Sequence, residues 1–275
     1  MMFRRFLRMR KALLGAAIAA LVLLTAVVAP LLAPADYAET DLGAVWQAPS
    51  AEHLLGADKL GRDILSRIMF GARVSLVVTV AVLSVTFAIG VSAGVLAGYF
   101  GGWIDAVVMR VADIVLAFPE LIFAILVAAV LGAGIVSVIV ALSLAWWPGV
   151  ARLTRSLVLS LRNEAFLEAA VACGTPSGKI LWRHVLPNIA PALIVRASIG
   201  VGFIVMAEAT LSFLGIGVQE PTPSWGGMIR DGLEGLRTDP YLALFSSAAL
   251  GVTILGFNLL GDGLRDLLDP RVGEQ

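Results

Sequence analysis

Residues 74–98 read "VSLVVTVAVLSVTFAIGVSAGVLAG", twenty-five positions without a charged side chain. A helix of about 20 apolar residues crosses a bilayer core, so this stretch predicts a membrane span. Over the whole chain 59% of residues are hydrophobic and 15% charged, against about 25% charged in a typical soluble domain. A water-soluble globule of 275 residues has no room to hide that much apolar surface. The expected fold is therefore all-α and polytopic, with six spans at 12–33, 74–98, 106–131, 135–151, 190–218 and 241–262. Small residues recur, as in "GVSAGVLAG" (90–98), and permit close helix–helix approach in lipid. The fourth span is short, because Pro148 in "AWWPG" stops or kinks it and Trp146 and Trp147 suit an interface.

Charge placement gives an orientation. With the N-terminus inside, fourteen of the twenty Lys and Arg residues fall on inside segments. They include Arg4, Arg5, Arg8, Arg10, Lys11, Arg152, Arg155, Arg162, Lys179, Arg183 and Arg271. The positive-inside rule then puts both termini in the cytoplasm. The start "RRFLRMRK", followed by an apolar run and "APA", has the look of a secretory signal. The run is about 22 residues, longer than the 7–15 of a signal core, and a retained span is expected. The chain divides into 1–33, an N-terminal segment with the first span, 34–73, an external loop, and 74–275, a core with an inside loop at 152–189. A short external helix is expected within 218–240.

Several chemistries are excluded. One cysteine and two histidines form neither a disulfide nor a zinc cluster, and no metal site is expected. Basic residues do not interleave with aromatics on any soluble segment, so nucleic-acid binding has no support. The "GD" at 261–262 lacks the preceding glycine of an intramembrane aspartyl protease, and neither H-E-x-x-H nor G-x-S-x-G occurs. "GTPSGK" (174–179) superficially suggests a phosphate loop. Three residues rather than four separate Gly174 from Gly178, Ile180 follows Lys179 where a hydroxyl must hold Mg²⁺, and a helix former precedes it instead of a strand. No catalytic residue is assigned.

A helix–turn–helix explains 164–188, "EAFLEAAVACGTPSGKILWRHVLPN". Glu164 and Glu168 lie one turn apart, Gly174 suits a left-handed helix end, and Thr175 with Pro176 suits an N-cap and first turn. The second helix is expected to end before Pro187. Glu168, Ala169, Ala170, Gly174, Leu186 and Pro187 resemble the EAA loop of ATP-binding-cassette importer permeases of type I, although His184 stands where an aliphatic residue is common. "LGADKLGRDILSRIMFGARVSL" (55–76), "GYFGGWIDAVVMRVADIVLAFPELIFAI" (98–125), "EATLSFLGIGVQEPTPSWGGMI" (208–229) and "NLLGDGLRDLLDPR" (258–271) look like blocks of the dipeptide, oligopeptide and nickel branch. Within it the chain looks like the second, C-type permease.

The resemblance implies a transmembrane subunit in a bacterial or archaeal inner membrane. Its partners would be a homologous second permease, two cytoplasmic ATPases carrying ATP and Mg, and an external substrate-binding protein. The EAA loop would transmit force without doing chemistry, and no cofactor would be held by this chain. Nickel or a metal chelate is an alternative cargo to peptides. An ion-driven secondary transporter is the rival from another class.

Ionisable residues at membrane depth usually face a cavity or a partner. Asp113 and Glu120, seven apart on one expected helix, are candidates for the translocation pathway, or for pairing with Arg110 or Arg73. Glu208 is a candidate for the pathway or for the contact between permeases, with an internal hydrogen-bonded pair as the alternative. Arg196 is expected to snorkel. Asp58, Arg62 and Asp63 in "GADKLGRDILSR" fit contact with the binding protein, or a self-contained salt-bridged helix.

Overall fold

A computed structural model of the chain describes residues 9–268. The basic cluster Arg4, Arg5 and Arg8 and the end of the "LRDLLDPR" tail, with Arg271, lie outside the described residues. Five helices are long and apolar enough to cross a membrane, and a bent pair supplies a sixth crossing. They comprise α1 (Arg10–Leu32), α2 (Ile64–Phe100), the pair α3 (Gly102–Leu116) and α4 (Glu120–Leu131), α5 (Ile135–Arg162), α8 (Leu186–Phe213) and α10 (Tyr241–Leu268). Shorter elements connect them: α6 (Ala165–Ala172), α7 (Ser177–Ile180) and α9 (Trp225–Gly232), the last matching the short helix expected in 218–240.

The opening stretch forms the middle of α2. Asp63 caps this helix by accepting from the Ser66 amide at 2.7 Å and from the Ser66 hydroxyl at 2.8 Å. That cap starts the helix ten residues before the apolar run, so 64–73 belongs to α2 and not to an external loop. Gly101, at φ +65°, ends it. The glycines Gly90, Gly94 and Gly98 recur every fourth residue and form the seam on which α5 lies. A methyl group at these positions would come within 2.7 Å of Val150, 2.5 Å of the Ala151 carbonyl and 2.8 Å of Val158. Without a hydrophobic drive between helices in lipid, such backbone proximity supplies the packing.

The seam also explains why α5 outruns its expectation. Pro148 lies inside a continuous 28-residue helix, and Trp146 and Trp147 are buried instead of facing an interface. Contacts with α2 on both sides of the proline hold the helix through the missing N–H. A second close pair joins α1 to α10. A side chain at Gly15 would come within 2.8 Å of the Gly256 carbonyl, so the first span is packed on the last.

The third expected span is not one helix. α3 and α4 meet at 89° across Ala117–Pro119. A proline removes an N–H and pushes its predecessor out of helical space; here the outcome is a full break and not a kink. Asp113 and Glu120 therefore lie on different helices and share no face.

α2 and α5 run in parallel, which gives the bundle two ends. The cap end carries 34–63 and 214–240, and the loop end carries Gly101 and residues 163–185. Between them lies a core of Val78, Val82, Val138, Leu142, Ile204 and Leu211, all fully buried.

Candidate functional site

At the loop end the chain folds into a tight hairpin. Glu164 has extended backbone and accepts from the amides of Leu167 and Glu168 through its carbonyl, which starts α6. The helix ends in a Schellman turn: the Gly174 amide donates to Val171 and the Thr175 amide to Ala170, at 2.9 and 3.1 Å. This pattern needs a left-handed residue, and Gly174 sits at φ +72° with open space around its Cα. Glycine is required there for its backbone and not for its size. The cap of α7 is shifted by one residue from expectation. Pro176, at ψ 142°, is the N-cap, and its carbonyl accepts from Lys179 and Ile180; the Thr175 side chain forms no cap.

The second helix does not stop before Pro187. A widened π turn, Leu181–Val185, carries α7 into α8, so Ser177–Phe213 is one helix of 37 residues. Within this turn the Leu186 amide reaches back to Leu181. The wider turn accommodates the Pro187 ring, and the Asn188 side chain donates to the His184 carbonyl at 2.6 Å. Leu186 is half-buried and Pro187 exposed, on the stem and not in the hairpin.

Leu167, Ile180, Val185 and Ile189 are buried against Val95, Val158 and Leu193, which bolts the hairpin to the bundle. Its outer side is left open. Glu164, Glu168 and Ala169 are exposed and Ala170 half-buried. Phe166, Val171 and Trp182 are 42%, 57% and 77% exposed. Sequence reasoning missed these three apolar side chains. The signal was present: a charged, loop-like stretch has no need of a phenylalanine, a valine and a tryptophan beyond its anchors. Beside them a cleft of about 450 Å³ is lined by Tyr99, Arg162, Leu167, Glu168, Val171 and Ala172.

Deeper in the bundle the acids part company. Asp113 pairs with Arg152 of α5 at 2.6 Å, both half-exposed, and not with Arg110 or Arg73. Glu120 is exposed at the first turn of α4, where a carboxylate suits the helix dipole. Glu208 is fully buried and accepts from the hydroxyls of Ser75 and Ser212, each at 2.9 Å. It fastens α2 to α8 inside the chain, which is the internal hydrogen-bonded alternative. Arg196 does not snorkel, for its guanidinium lies over the Trp146 ring at 5.9 Å.

At the cap end Asp58, Arg62 and Asp63 do not form an outward contact. Their side chains are 1–3% exposed. Arg62 bonds Asp58 at 2.7 Å and Glu220 at 2.9 Å, and Arg67 lies 3.4 Å from Asp58. Asp63 holds His53 at 3.1 Å besides capping α2. Burial works to raise the Glu220 carboxyl, but the hydrogen bond and charge of Arg62 outweigh it and hold the group below the usual glutamate range. Glu220 lies 158 residues from Arg62, so the network ties the two cap segments together.

These features define a polytopic membrane component with exposed apolar side chains at its loop end. Comparison with known proteins gives the family. Residues 90–274 match the model described as binding-protein-dependent transport system inner membrane component, and residues 1–49 match the N-terminal transmembrane domain of oligopeptide transport permease C. The chain is 41% identical to the dipeptide transport system permease protein of Alkalihalophilus pseudofirmus, over 98% of this chain and 89% of that one. It is 41% identical to a glutathione transport system permease protein of Pectobacterium atrosepticum, over 98% and 90%. The oligopeptide transport system permease protein of Haemophilus influenzae is 39% identical, over 98% and 87%. The chain belongs to the binding-protein-dependent transport permeases of the inner membrane. It is the transmembrane subunit of an ATP-binding-cassette importer, with ATP hydrolysis on a separate subunit, and the ion-driven reading is set aside.

Proposed function

We propose that this subunit carries peptides inward as one of two paired permeases, with its loop end in the cytoplasm against an ATPase. The observation that carries this reading is the hairpin at 164–185, anchored by Leu167, Ile180 and Val185 and presenting Phe166, Val171 and Trp182. A rigid mount with an open apolar face is what a groove on a soluble partner requires. Glu164, Glu168, Ala169, Ala170 and Gly174 shape this face, while Leu186 and Pro187 lead its motion into α8. ATP and Mg belong to the two ATPases. An external binding protein delivers cargo at the cap end, and Asp113 and Glu120 line the route between the permeases. Both termini are then cytoplasmic. Peptide is the preferred cargo because the relatives named above are peptide and glutathione permeases.

The test uses the complete importer in proteoliposomes, with trialanine as cargo. ATP-dependent uptake is expected, and Trp182→Asp should release the ATPases on purification. Uptake of a nickel complex without trialanine would overturn the peptide reading, and retained ATPases in the variant would overturn the docking assignment. Cys173, the chain's one cysteine and exposed, reports orientation. Impermeant thiol reagents should label it in inverted vesicles and not in intact cells.

A further inference from the structure

Arg196 stands apart from the other charges of the bundle. It lies ten residues into α8, and no acid among the described residues comes within ion-pair distance of it. α8 runs against α5 with Gly200 beside Trp146 and Arg196 beside Gly149, whose added methyl would sit 3.7 Å from the guanidinium. Trp146 is eleven residues from the cap-end start of α5, about 17 Å along the axis and near the middle of a core about 30 Å thick. The guanidinium thus stays at mid-depth over an aromatic face, where cation–π attraction holds it. A snorkelling arginine would carry its head toward the nearer interface.

Two further features share this depth. Arg152, one turn beyond Gly149, is neutralised by Asp113, whereas Arg196 keeps its charge without a paired acid among the described residues. α4 folds back on α5 across Gly132–Gly134, which brings Glu120 to about the level of Trp146 by helical rise. The break at Ala117–Pro119 leaves exposed, non-helical backbone there. Irregular backbone at membrane depth is tolerated only inside protein or along a water-filled cavity. The α3–α4 elbow and Arg196 thus lie at about one level of the bundle.

We infer that Arg196, braced on Trp146, receives the terminal carboxylate of a peptide in transit. Of the elbow acids Asp113 is taken up by Arg152, which leaves Glu120, exposed at the first turn of α4, as the carboxylate for the peptide's ammonium group. This rests on the peptide reading above. A guanidinium matches a carboxylate through paired N–H donors, and Gly149 leaves the space beside it open.

The test compares uptake of trialanine and trialanine amide by the complete importer, with the same binding protein throughout. Any preference built into the binding protein is then common to all variants, and a change in the ratio belongs to the permease. Arg196→Gln should lower the trialanine-to-amide ratio about tenfold, the worth of a charge-assisted hydrogen bond. Arg196→Lys should restore most of it, which a merely structural loss would not show. An unchanged ratio in Arg196→Gln, with trialanine still imported, overturns the assignment alone. No trialanine uptake by the unaltered importer overturns the peptide reading and this inference with it.

Discussion

The two ends of this bundle treat charge and apolar surface in opposite ways. At the cap end Asp58, Arg62 and Arg67 are buried and paired with one another, Asp63 is buried on His53 and Ser66, and Trp225 is sealed inside with its indole N–H donated to the Ile68 carbonyl. In the hairpin at the loop end Glu164, Glu168, Lys179 and Arg183 are in solvent, and Phe166, Val171 and Trp182 are exposed as well. A region that closes on itself satisfies its polar groups internally and hides its aromatics. A region made for a partner leaves apolar surface for that partner to cover.

The contrast breaks most visibly at Asp58. Asp58→Ala takes the buried partner from Arg67 and leaves Arg62 with Glu220 alone, and losing one member of a buried ion pair costs about 3–5 kcal/mol. Thermal unfolding in detergent should show that loss, while Glu168→Ala at the loop end should stay within about 0.5 kcal/mol. A midpoint for Asp58→Ala equal to the unaltered protein would mean the cap is not held by its charges.

Glycine sharpens the comparison at the next level of effect. Gly226 at the cap end is packed against the Ala209 backbone, and a methyl there should cost about 1–3 kcal/mol by overpacking. Gly174→Ala meets no atom and should cost about 1–2 kcal/mol, from left-handed strain alone. Changing both to serine separates the causes. The Gly226 variant should lose more than its alanine counterpart, and the Gly174 variant should not. Acid gives the smallest effect. The Glu220 carboxyl is held below its ordinary value by Arg62, so its contribution is present above the ordinary pKa of about 4.3 and is lost as pH falls through the depressed one. The thermal midpoint should decline below about pH 4.3 in the intact chain, and this decline should be shallower in Glu220→Gln, with the remainder owed to the other acids paired with arginine, such as Asp105 with Arg155.

Much of this was legible in the residues. The apolar runs gave all six crossings, and "GVSAGVLAG" gave the seam on which α5 rests. Gly174 was readable because a left-handed helix end has a local chemistry. What escaped reading depended on distance along the chain. Arg62 finds Glu220 and Glu208 finds Ser75, partners 158 and 133 residues away, and no local window carries that pairing. The break at Pro119 and the continuity at Pro148 show the same limit. One residue type produced opposite outcomes, because α5 has the glycine seam of α2 to lie on through its proline and the α3–α4 pair has none. The exposed apolar side chains of the hairpin were missed because apolar residues in a helix are read by default as anchors.

The unbroken helix from Ser177 to Phe213 has a mechanical consequence. At 37 residues it is a rod about 55 Å long, with Trp182 near one tip and Ser212 near the other. The Ser212 hydroxyl donates to Glu208 and accepts from the Val218 amide, at the threshold of the cap. If this helix moves as one body, a tilt applied at the hairpin reaches that threshold with opposite sense, as in a seesaw. The two faces of the membrane share one helix.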